Sequence, residues 1–302
     1  MDLVKFIKGQ NESLTNLIDL IPIPIFYKDR KGVYLGCNKA FEGFVNLSKE
    51  EFIGKTVYEL FSKEKATLYF QKDEELFTNP GIQVYDGKVD SDEDAPYNVR
   101  FHKATFKDDK GEITGLIGAI FDITKEVKQE KYLKKLASYD GLTGLYNRRK
   151  GILLLEKQIN QSKYDNFPFS VVMADIDNFK KINDTYGHNY GDDILRAISQ
   201  VLKNNLRDQD VIFRHGGEEF IYFLPKMNRE QAFFISEKIR KSILKYFENH
   251  DKNKCNPITA SFGISTYPID GDDVDQLINK ADSAMYKIKI NGRNGVGFTK
   301  IT

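Results

Sequence analysis

Two glycines and two glutamates stand in a row at residues 216–219 of this 302-residue chain, between two apolar runs. The runs are Val211–Phe213 and Phe220–Leu224, and a glycine-containing interruption between apolar segments predicts a β-hairpin. We expect the two glycines to adopt the positive φ angles of a tight turn and to leave room for a phosphate beside the backbone. The two glutamates would place hard oxygen donors next to that opening.

A second acidic segment lies upstream, where Asp175 and Asp177 follow the apolar run Phe169–Met173. The run predicts a buried strand, along which residues two apart point to the same side. Carboxylates at the ends of two neighbouring strands would suit Mg²⁺, which prefers oxygen ligands and commonly shares them with substrate phosphates. Taken singly, the glycines and glutamates also fit an ordinary surface turn whose charges keep the protein soluble.

Five motifs in a fixed order, over about residues 138–300, resemble the GGDEF domain of the diguanylate cyclases. They are Asp140–Arg149, the segment around Asp175, Asn183–Asp192, the turn at 216–220, and Ala284–Lys287 together with Asn291–Asn294. The resemblance implies an α/β sandwich with a mainly antiparallel central sheet, similar to the palm of polymerases and to class III nucleotide cyclases. It also implies a homodimer in which each domain presents one GTP, so that two GTP molecules condense into cyclic di-GMP with release of two pyrophosphates.

The resemblance further implies roles for individual residues. Asp175, the backbone carbonyl of Ile176 and Glu219 would hold two Mg²⁺ ions, or Mn²⁺ in their place. Glu218 would orient or deprotonate the attacking 3′-hydroxyl. The remaining GTP contacts would come from Phe179, Lys180, Gly216, Gly217, Lys289 and Arg293. The three basic side chains among them would neutralise the triphosphate, and the four-residue spacing of Lys289 and Arg293 would place both on one face of a helix that reached that far.

The guanine base is expected to be recognised by Asn183 and Asp192, which match the family's guanine contacts. A carboxylate accepts hydrogen bonds from N1 and N2 of guanine and finds no equivalent donors on adenine. Relatives that make the mixed cyclic GMP-AMP dinucleotide resemble this chain but have a small hydroxyl residue in place of that aspartate. Asp192 therefore predicts cyclic di-GMP as the product.

Arg207 and Asp210 precede the glycine pair at the spacing of the family's RxxD motif. The resemblance implies an inhibitory site for the product, cyclic di-GMP, with Arg207 stacking on or pairing with it and Asp210 accepting from guanine. The alternative is a surface ion pair worth at most about 1 kcal/mol.

The N-terminal part, residues 1–122, lacks these motifs and is expected to be a separate domain. Its apolar runs predict a helix through Leu14–Ile18, two strands at Ile23–Lys28 and Val33–Cys37, and three longer strands around 81–89, 97–106 and 114–121. Together with the segments Ile21–Phe26, Leu35–Phe41 and Asp122–Thr124, this order resembles a PAS sensor domain with an antiparallel sheet. The whole chain is thus expected to be of the α+β class.

The sequence leaves the PAS ligand undefined. Asn38 is followed by Lys39 rather than by a reactive cysteine, which argues against a flavin photosensor. Asn98, Arg100 and His102 alternate along one predicted strand and would face the same way, where they could bind an anion or, through His102, a haem. The alternative is a strand face that meets solvent or a dimer partner.

Residues 123–138 contain no glycine or proline and are rich in helix formers, so they predict one helix between the two domains. Its apolar positions follow a heptad only in part, which is consistent with a short parallel coiled coil without requiring one. In the resembling family such a segment passes a sensor signal to the cyclase domains, which here are expected at residues 139–302.

Composition limits the remaining functions. A net charge of +1 and 40% hydrophobic residues argue against a disordered chain and against a nucleic-acid-binding protein. No apolar run has the length of a membrane span, and Cys37 and Cys255 stand one in each expected domain, so we expect a cytoplasmic protein without disulfides. Two other functions stay open: a catalytically silent receptor for GTP or cyclic di-GMP, and a module that only dimerises through its PAS domain.

Overall fold

The computed structural model describes residues 12–89, 96–250 and 257–298. Within these ranges, the residues up to Lys131 form one compact unit and those from Tyr132 onward form another. Cys37 is a buried free thiol, and Cys255 lies outside the described residues. No helix in the described ranges is long and apolar enough to cross a membrane.

The first unit combines short helices with one sheet. Its helices are α1 (Glu12–Asp19), α2 (Lys39–Val45), α3 (Lys49–Phe52), α4 (Val57–Leu60) and α5 (Lys63–Thr78), and its strands are β1 (Ile25–Asp29), β2 (Tyr34–Cys37), β3 (Ile82–Val89), β4 (Tyr97–Lys107) and β5 (Ile113–Asp122). The sheet order is β2-β1-β5-β4-β3, and all neighbouring strands are antiparallel. The expected PAS-like antiparallel sheet is confirmed, and its three long strands lie within one residue of their predicted bounds.

Asn38, which is buried, joins the start of this sheet to α2. Its Oδ1 accepts hydrogen bonds from the backbone N–H groups of Ile25 at 2.9 Å and Phe41 at 3.1 Å. It therefore caps the helix and fixes the first strand with one side chain. Its Nδ2 donates to three backbone carbonyls of the segment that precedes β1.

Strand β4 presents alternate residues to opposite faces of the sheet. Arg100 and His102 are exposed and Asn98 is half-buried, whereas residues 99, 101 and 103 are buried. On the exposed face, Arg100 Nε lies 2.6 Å from Asp86 Oδ1 of the neighbouring strand β3. The three residues considered for ligand binding thus lie on the solvated face, which was the alternative, and the interior is lined by the residues between them.

A helix follows the first sheet, as the sequence predicts. It is α6 (Thr124–Ser138), every residue of which is described and none of which is buried. Tyr132, Leu133 and Leu136 are each more than half exposed. The helix is confirmed, and the described residues leave more than half of each of these apolar side chains uncovered.

The second unit is a sheet between two layers of helices. Its helices are α7 (Arg148–Asp165), α8 (Phe179–Tyr186), α9 (His188–Asn205), α10 (Arg229–His250) and α11 (Val274–Ile290), and its strands are β6 (Phe169–Ile176), β7 (Val211–Gly216), β8 (Glu219–Pro225), β9 (Ala260–Tyr267) and β10 (Val296–Phe298). The order is β10-β9-β6-β8-β7, and every neighbouring pair is antiparallel except β9 and β10.

Strand β6 lies at the centre of this sheet and is buried along its whole length. Val172 and Ala174 pack into the core formed with α9 and α10, while Val171 and Met173 pack into the core formed with α7 and α11. Side chains that alternate along this strand therefore pack into two cores on opposite faces of the sheet. The expected α/β sandwich with a mainly antiparallel sheet is confirmed, and its rigid centre fixes the position of the strand ends.

Candidate active site at the ends of the central strands

The two acidic segments meet because of the register between β6 and β8. Asp175, the next-to-last residue of β6, lies directly opposite Glu219, the first residue of β8. Directly opposed residues of antiparallel strands have Cβ atoms about 5 Å apart on one face of the sheet. Two carboxylates that come from separate sequence motifs are therefore neighbours on one face of the sheet.

The glycine turn stands beside this pair. Strand β7 ends at Gly216 and β8 begins at Glu219, so Gly217 and Glu218 form the turn of the predicted hairpin. Gly217 has a φ of +46°, whereas Gly216 does not have a positive φ, so the expectation of two positive φ angles is wrong for Gly216. A Cβ added at either glycine would meet no other atom within 4 Å. The backbone of the turn is therefore open to a close-lying ligand.

Arg214 holds the turn in place. Its Nε and Nη2 donate to the carbonyl of Gly217 at 2.9 and 2.7 Å, and its Nη1 donates to the Asp140 carboxylate at 3.2 Å. Neither Arg214 nor Asp140 was predicted from the sequence to take part in the site. Arg214 borders the turn and could have been noticed, but Asp140 lies 74 residues away in sequence and no local pattern connects the two.

Acidic charge dominates the site. Asp175 is 5% exposed and accepts a hydrogen bond from Lys289 Nζ at 2.7 Å. Burial raises the pKa of the Asp175 carboxyl to about 6, with Lys289 opposing the shift and the neighbouring glutamates adding to it. Burial and the nearby Asp282 also raise the pKa of Glu219. The carboxylates outnumber the single paired lysine, and this surplus favours the binding of a cation.

The oxygen donors present fit Mg²⁺ or Mn²⁺. Asp175 and Glu219 offer carboxylate oxygens, and the backbone carbonyl of Ile176 follows directly on the same strand end. Among the residues that the structure describes, no three His, Cys, Asp or Glu side chains converge into a metal site of their own. Mg²⁺ commonly takes one or two carboxylates and completes its coordination with substrate phosphates and water. The donors therefore suit an ion that arrives together with a triphosphate.

Asp177 stabilises the end of β6 through hydrogen bonds. Its carboxylate accepts hydrogen bonds from Thr259 Oγ1 and Ser261 Oγ, both at 2.7 Å, and from the backbone N–H of Asn294 at 3.0 Å. These bonds tie the end of β6 to β9 and to the segment after α11. Asp177 is thus a structural anchor beside the acidic pair rather than one of its members.

The cations expected to meet a triphosphate come from different elements. Lys180 is exposed in the first turn of α8, Lys289 lies near the end of α11, and Arg293 is exposed beyond it. Because α11 ends at Ile290 and Arg293 has a φ of +65°, the chain turns before Arg293. Lys289 and Arg293 therefore do not lie on one helix face.

Phe179 begins α8 immediately after the acidic strand end, with its side chain only 8% exposed. The ring belongs to the core, so the backbone is the part of Phe179 that can reach a ligand. The first N–H groups of a helix have no partner within it, and they favour anions such as phosphate.

The two residues expected to bind guanine are brought together by a close approach of α8 and α9. Asn183 lies on α8, and its Oδ1 is buried without a hydrogen-bond partner among the described residues. Gly191 on α9 faces this atom, because a Cβ added there would collide with Asn183 Oδ1. Asp192 follows Gly191 and is half-buried. A buried acceptor without a partner is uncommon in a folded protein and suits a ligand-binding position.

Comparison with known proteins decides the family. Residues 137–295, more than half of the chain, match the family model described as "Diguanylate cyclase, GGDEF domain". The chain belongs to the diguanylate cyclase family. Residues 18–128 match the model described as "PAS fold", so a PAS domain precedes the GGDEF domain.

Relatives agree with this family, and a solved structure agrees with the fold. A diguanylate cyclase of Vibrio cholerae serotype O1 is 30% identical over 296 residues, which cover 95% of this chain and 89% of that protein. Diguanylate cyclase A of Treponema denticola is 40% identical over 142 residues, but the match spans only 38% of that protein and 47% of this chain. The coiled coil and GGDEF domain of DgcB from Caulobacter crescentus, crystallised with c-di-GMP, has a TM-score of 0.52 at 24% identity and covers 58% of this chain and 92% of that one. This last likeness concerns the fold alone.

In this GGDEF domain the RxxD residues form an ion pair. Arg207 Nη2 lies 2.7 Å from Asp210 Oδ1, and the backbone N–H of Arg207 donates to Asp210 Oδ2 at 2.9 Å. The Arg207 side chain is 43% exposed, whereas that of Asp210 is 2% exposed. The structure thus contains the ion pair that was the alternative to an inhibitory site, and it leaves much of the guanidinium accessible from outside.

Proposed function

We propose that this protein is a signal-regulated diguanylate cyclase that condenses two GTP molecules into cyclic di-GMP and two pyrophosphates. The observation that carries the proposal is the register that places Asp175 opposite Glu219 beside an open glycine turn. The substrate of such a site would be a nucleoside triphosphate with its metal ions. Since GTP is a cytoplasmic metabolite, we place the reaction in the cytoplasm.

Binding of the triphosphate is assigned to the groups around the acidic pair. Asp175, the Ile176 carbonyl and Glu219 would hold two Mg²⁺ ions, which when bound would neutralise the charge of the phosphates. Lys289 is paired with Asp175 and would exchange this partner for a phosphate oxygen as GTP binds. Lys180, Arg293 and the first backbone N–H groups of α8 would add further contacts to the phosphate tail. Gly216 and Gly217 leave space for that tail.

The chemical step is a nucleotidyl transfer between two bound GTP molecules. The 3′-oxygen of one GTP would attack the α-phosphorus of the other, a new P–O bond would form, and pyrophosphate would leave with the electrons of the broken bond. Glu218 would orient the hydroxyl and take its proton. A second transfer in the opposite sense closes the ring. In-line positioning and charge neutralisation are the main requirements of such a step, and the chain needs no covalent intermediate.

Guanine specificity is assigned to Asn183 and Asp192. Asp192 would accept hydrogen bonds from N1 and N2 of guanine, which adenine does not offer in the same pattern. The Asn183 amide would use the acceptor that has no partner within the described residues. Both substrates of the transfer would then be guanine nucleotides, which favours cyclic di-GMP over mixed dinucleotides.

The homodimer follows from the chemistry and is supported by α6. One domain offers one acidic pair, so two copies are needed to bring two GTP molecules together. The exposed apolar residues of α6, Tyr132, Leu133 and Leu136, would be covered in a parallel pairing of two such helices. We propose that a signal received by the PAS domain changes this pairing and so changes how the two GGDEF domains face each other.

Product inhibition is assigned to Arg207 and Asp210. The exposed part of the guanidinium would bind the dinucleotide, and Asp210 would accept from its guanine. The product would take over part of an existing ion pair in which the Arg207 side chain is 43% exposed and that of Asp210 is 2% exposed.

The test is a product analysis. Purified full chain, freed of carried-over dinucleotide, is incubated with GTP and Mg²⁺, and cyclic di-GMP and pyrophosphate are quantified together. The proposal expects two pyrophosphates for each cyclic di-GMP and no turnover with ATP. Binding of GTP without any product, even when the chain is fused to a dimerisation tag, would identify a receptor instead. Absence of nucleotide binding would leave the dimerisation module as the function.

A further inference from the structure

The chain after α11 turns through three successive residues with positive φ. Gly292, Arg293 and Asn294 have φ angles of +110°, +65° and +46°. Glycine adopts such angles freely and often ends a helix, and asparagine tolerates them better than most other residues. Arginine has neither advantage, so its presence in this conformation has a cost in free energy that a glycine would avoid. A backbone outlier of this kind at a candidate binding residue indicates a functional requirement on the turn.

The turn is attached to the acidic end of β6 on both sides of Arg293. Before it, Lys289 Nζ lies 2.7 Å from Asp175 Oδ1. After it, the backbone N–H of Asn294 donates to Asp177 Oδ2 at 3.0 Å. Both contacts reach the strand end that carries the candidate metal ligands. The backbone of Arg293 is therefore held beside that end, while its side chain is exposed.

A third attachment of the turn comes from Arg240 on α10. Its Nη1 donates to Asn294 Oδ1 at 2.9 Å. Its Nε and Nη2 donate to the two carboxylate oxygens of Glu237, both at 3.0 Å. Two parallel N–H···O bonds fix the plane of a guanidinium as well as its position. The Nη1 donor of Arg240 therefore meets Asn294 in one defined orientation.

The contact between Arg240 and Asn294 constrains the turn rather than the helix. Arg240 and Glu237 are three residues apart on α10, and their side chains are 16% and 24% exposed. Partly buried charges are screened by salt much less than exposed ones. The bond to Asn294, in contrast, joins residues 54 apart in sequence. It therefore fixes the turn relative to α10.

We propose that Arg240 is a positioning residue for triphosphate binding, which keeps the turn in the conformation that presents Arg293 to the phosphates. Arg240 holds the side chain of Asn294, and Asp177 holds its backbone. Arg240 itself is engaged by Glu237 and Asn294, so it acts on the substrate only through Arg293. Without this hold the turn would relax out of its costly conformation, and the ordering of Arg293 on binding would weaken the affinity for GTP.

This role rests on the proposed function, because Arg293 contributes to binding only if the ligand is a nucleoside triphosphate. Binding and turnover are therefore measured separately. Binding is measured with 3′-deoxy-GTP and Mg²⁺, since this analogue lacks the hydroxyl that would attack and occupies the site without reaction. Turnover is measured with GTP as the release of pyrophosphate.

The test uses two variants of the full chain that remove the same hydrogen bond. Arg240→Met removes the donor together with a positive charge. Asn294→Gly removes the acceptor without a change in charge, and glycine keeps both the positive φ and the backbone N–H that binds Asp177. The matched control is Lys241→Met, which removes an exposed cation from the next position of the same helix. Isothermal titration calorimetry gives the affinity, and thermal unfolding checks the fold; if Arg240→Met does not fold, Asn294→Gly still tests the bond.

Both variants should bind 3′-deoxy-GTP at least about fivefold more weakly than the unaltered chain, the size expected for the loss of one hydrogen bond. Lys241→Met should bind it normally. Adding Arg240→Met to Arg293→Met should cause no further loss, because both changes remove the contact of Arg293 with phosphate. In steady-state assays with GTP the loss should appear in KM, with kcat changed by less than about twofold.

Normal binding by either folded variant would overturn the proposal. If only Arg240→Met were weakened, the charge of Arg240 rather than its hold on Asn294 would be responsible. Additive losses with Arg293→Met would also overturn it, because Arg240 would then act by another route. Normal turnover of GTP together with unchanged binding in the variants would contradict this role alone. Binding of 3′-deoxy-GTP without turnover of GTP by the unaltered chain would contradict the cyclase assignment alone, and no binding at all would contradict both.

Discussion

Replacing Gly191 by alanine should separate the stability of the protein from its activity. Gly191 lies inside α9, where alanine is favoured over glycine by up to about 1 kcal/mol. The added Cβ would collide with Asn183 Oδ1, and because that atom is the end of a flexible side chain, Asn183 can turn aside. The protein should therefore unfold at an equal or higher temperature than the unaltered chain.

The expected loss is in substrate recognition. A displaced Asn183 would give up the hydrogen bond to guanine that we propose for it and would leave one polar group of the pocket without a partner, a loss of about 1 to 2 kcal/mol. This corresponds to a fall of roughly five- to thirtyfold in kcat/KM for GTP, carried mainly by KM since Gly191 does not touch the reacting atoms.

A double-mutant cycle tests this reasoning. Steady-state pyrophosphate release is measured for Gly191→Ala, Asn183→Ala and the double variant. If alanine acts by displacing Asn183, the double variant is no worse than Asn183→Ala alone, because both changes remove the same contact. Additive losses, or a fall in unfolding temperature for Gly191→Ala, would refute the account of this helix contact.

Three further outcomes follow from single side chains. Lys289→Met should raise KM for GTP by about tenfold or more through the loss of a charge-assisted contact to phosphate. The control Lys287→Met, on the exposed side of the same helix, should leave KM unchanged. Equal effects of the two variants in steady-state assays would contradict the assignment of Lys289 to phosphate binding. Arg207→Ala should leave the initial rate unchanged and abolish inhibition by added cyclic di-GMP, and unaltered inhibition would remove Arg207 from the proposed site. The pKa of Lys103 in the folded protein, about 8, lies below its ordinary value of 10.5. Between these two pH values the unfolded chain binds more protons than the folded protein, so the free energy of unfolding should rise with pH. The rise should amount to up to about 3 kcal/mol relative to Lys103→Met. Denaturant unfolding of the two proteins at pH 7 to 10 measures this difference, and parallel pH profiles would show that Lys103 is not the titrating group.

The elements of the fold were accessible from the sequence where patterns are local. The hairpin at 216–219, the helix over 123–138 and the long PAS strands follow from apolar runs, glycines and helix formers, and each was confirmed. The register that pairs Asp175 with Glu219 was not readable in the same way. It depends on where β6 ends and where β8 begins, and the resemblance of the motifs to a family supplied what spacing alone could not.

Contacts between distant segments account for what was missed. The Arg214–Asp140 pair and the anchoring of Asp177 by Thr259 and Asn294 join residues that are 74 or more apart in sequence. The spacing of Lys289 and Arg293 would place them on one helix face only if α11 reached Arg293, and Asn291-Gly292, a common signal for a helix end, stands between them.

The buried lysines of the PAS domain left a signal that could have been followed. Lys103 occupies the same alternating set as Val99 and Phe101 on β4, which is the inward set. A charged residue at an inward position predicts a buried partner, but the sequence does not show that this partner is Asp73 on a helix thirty residues away.

We propose that the Asp175–Glu219 pair forms half of a cyclase that works only as a dimer. The deciding experiment measures the rate of cyclic di-GMP formation per protein molecule over a wide range of protein concentration, with Mg²⁺ and GTP in excess. We expect a specific rate that rises with concentration and reaches a plateau, no turnover for Glu219→Gln, and normal turnover for the exposed control Glu230→Gln. A specific rate independent of concentration in a monomeric protein, or full turnover by Glu219→Gln, would contradict it.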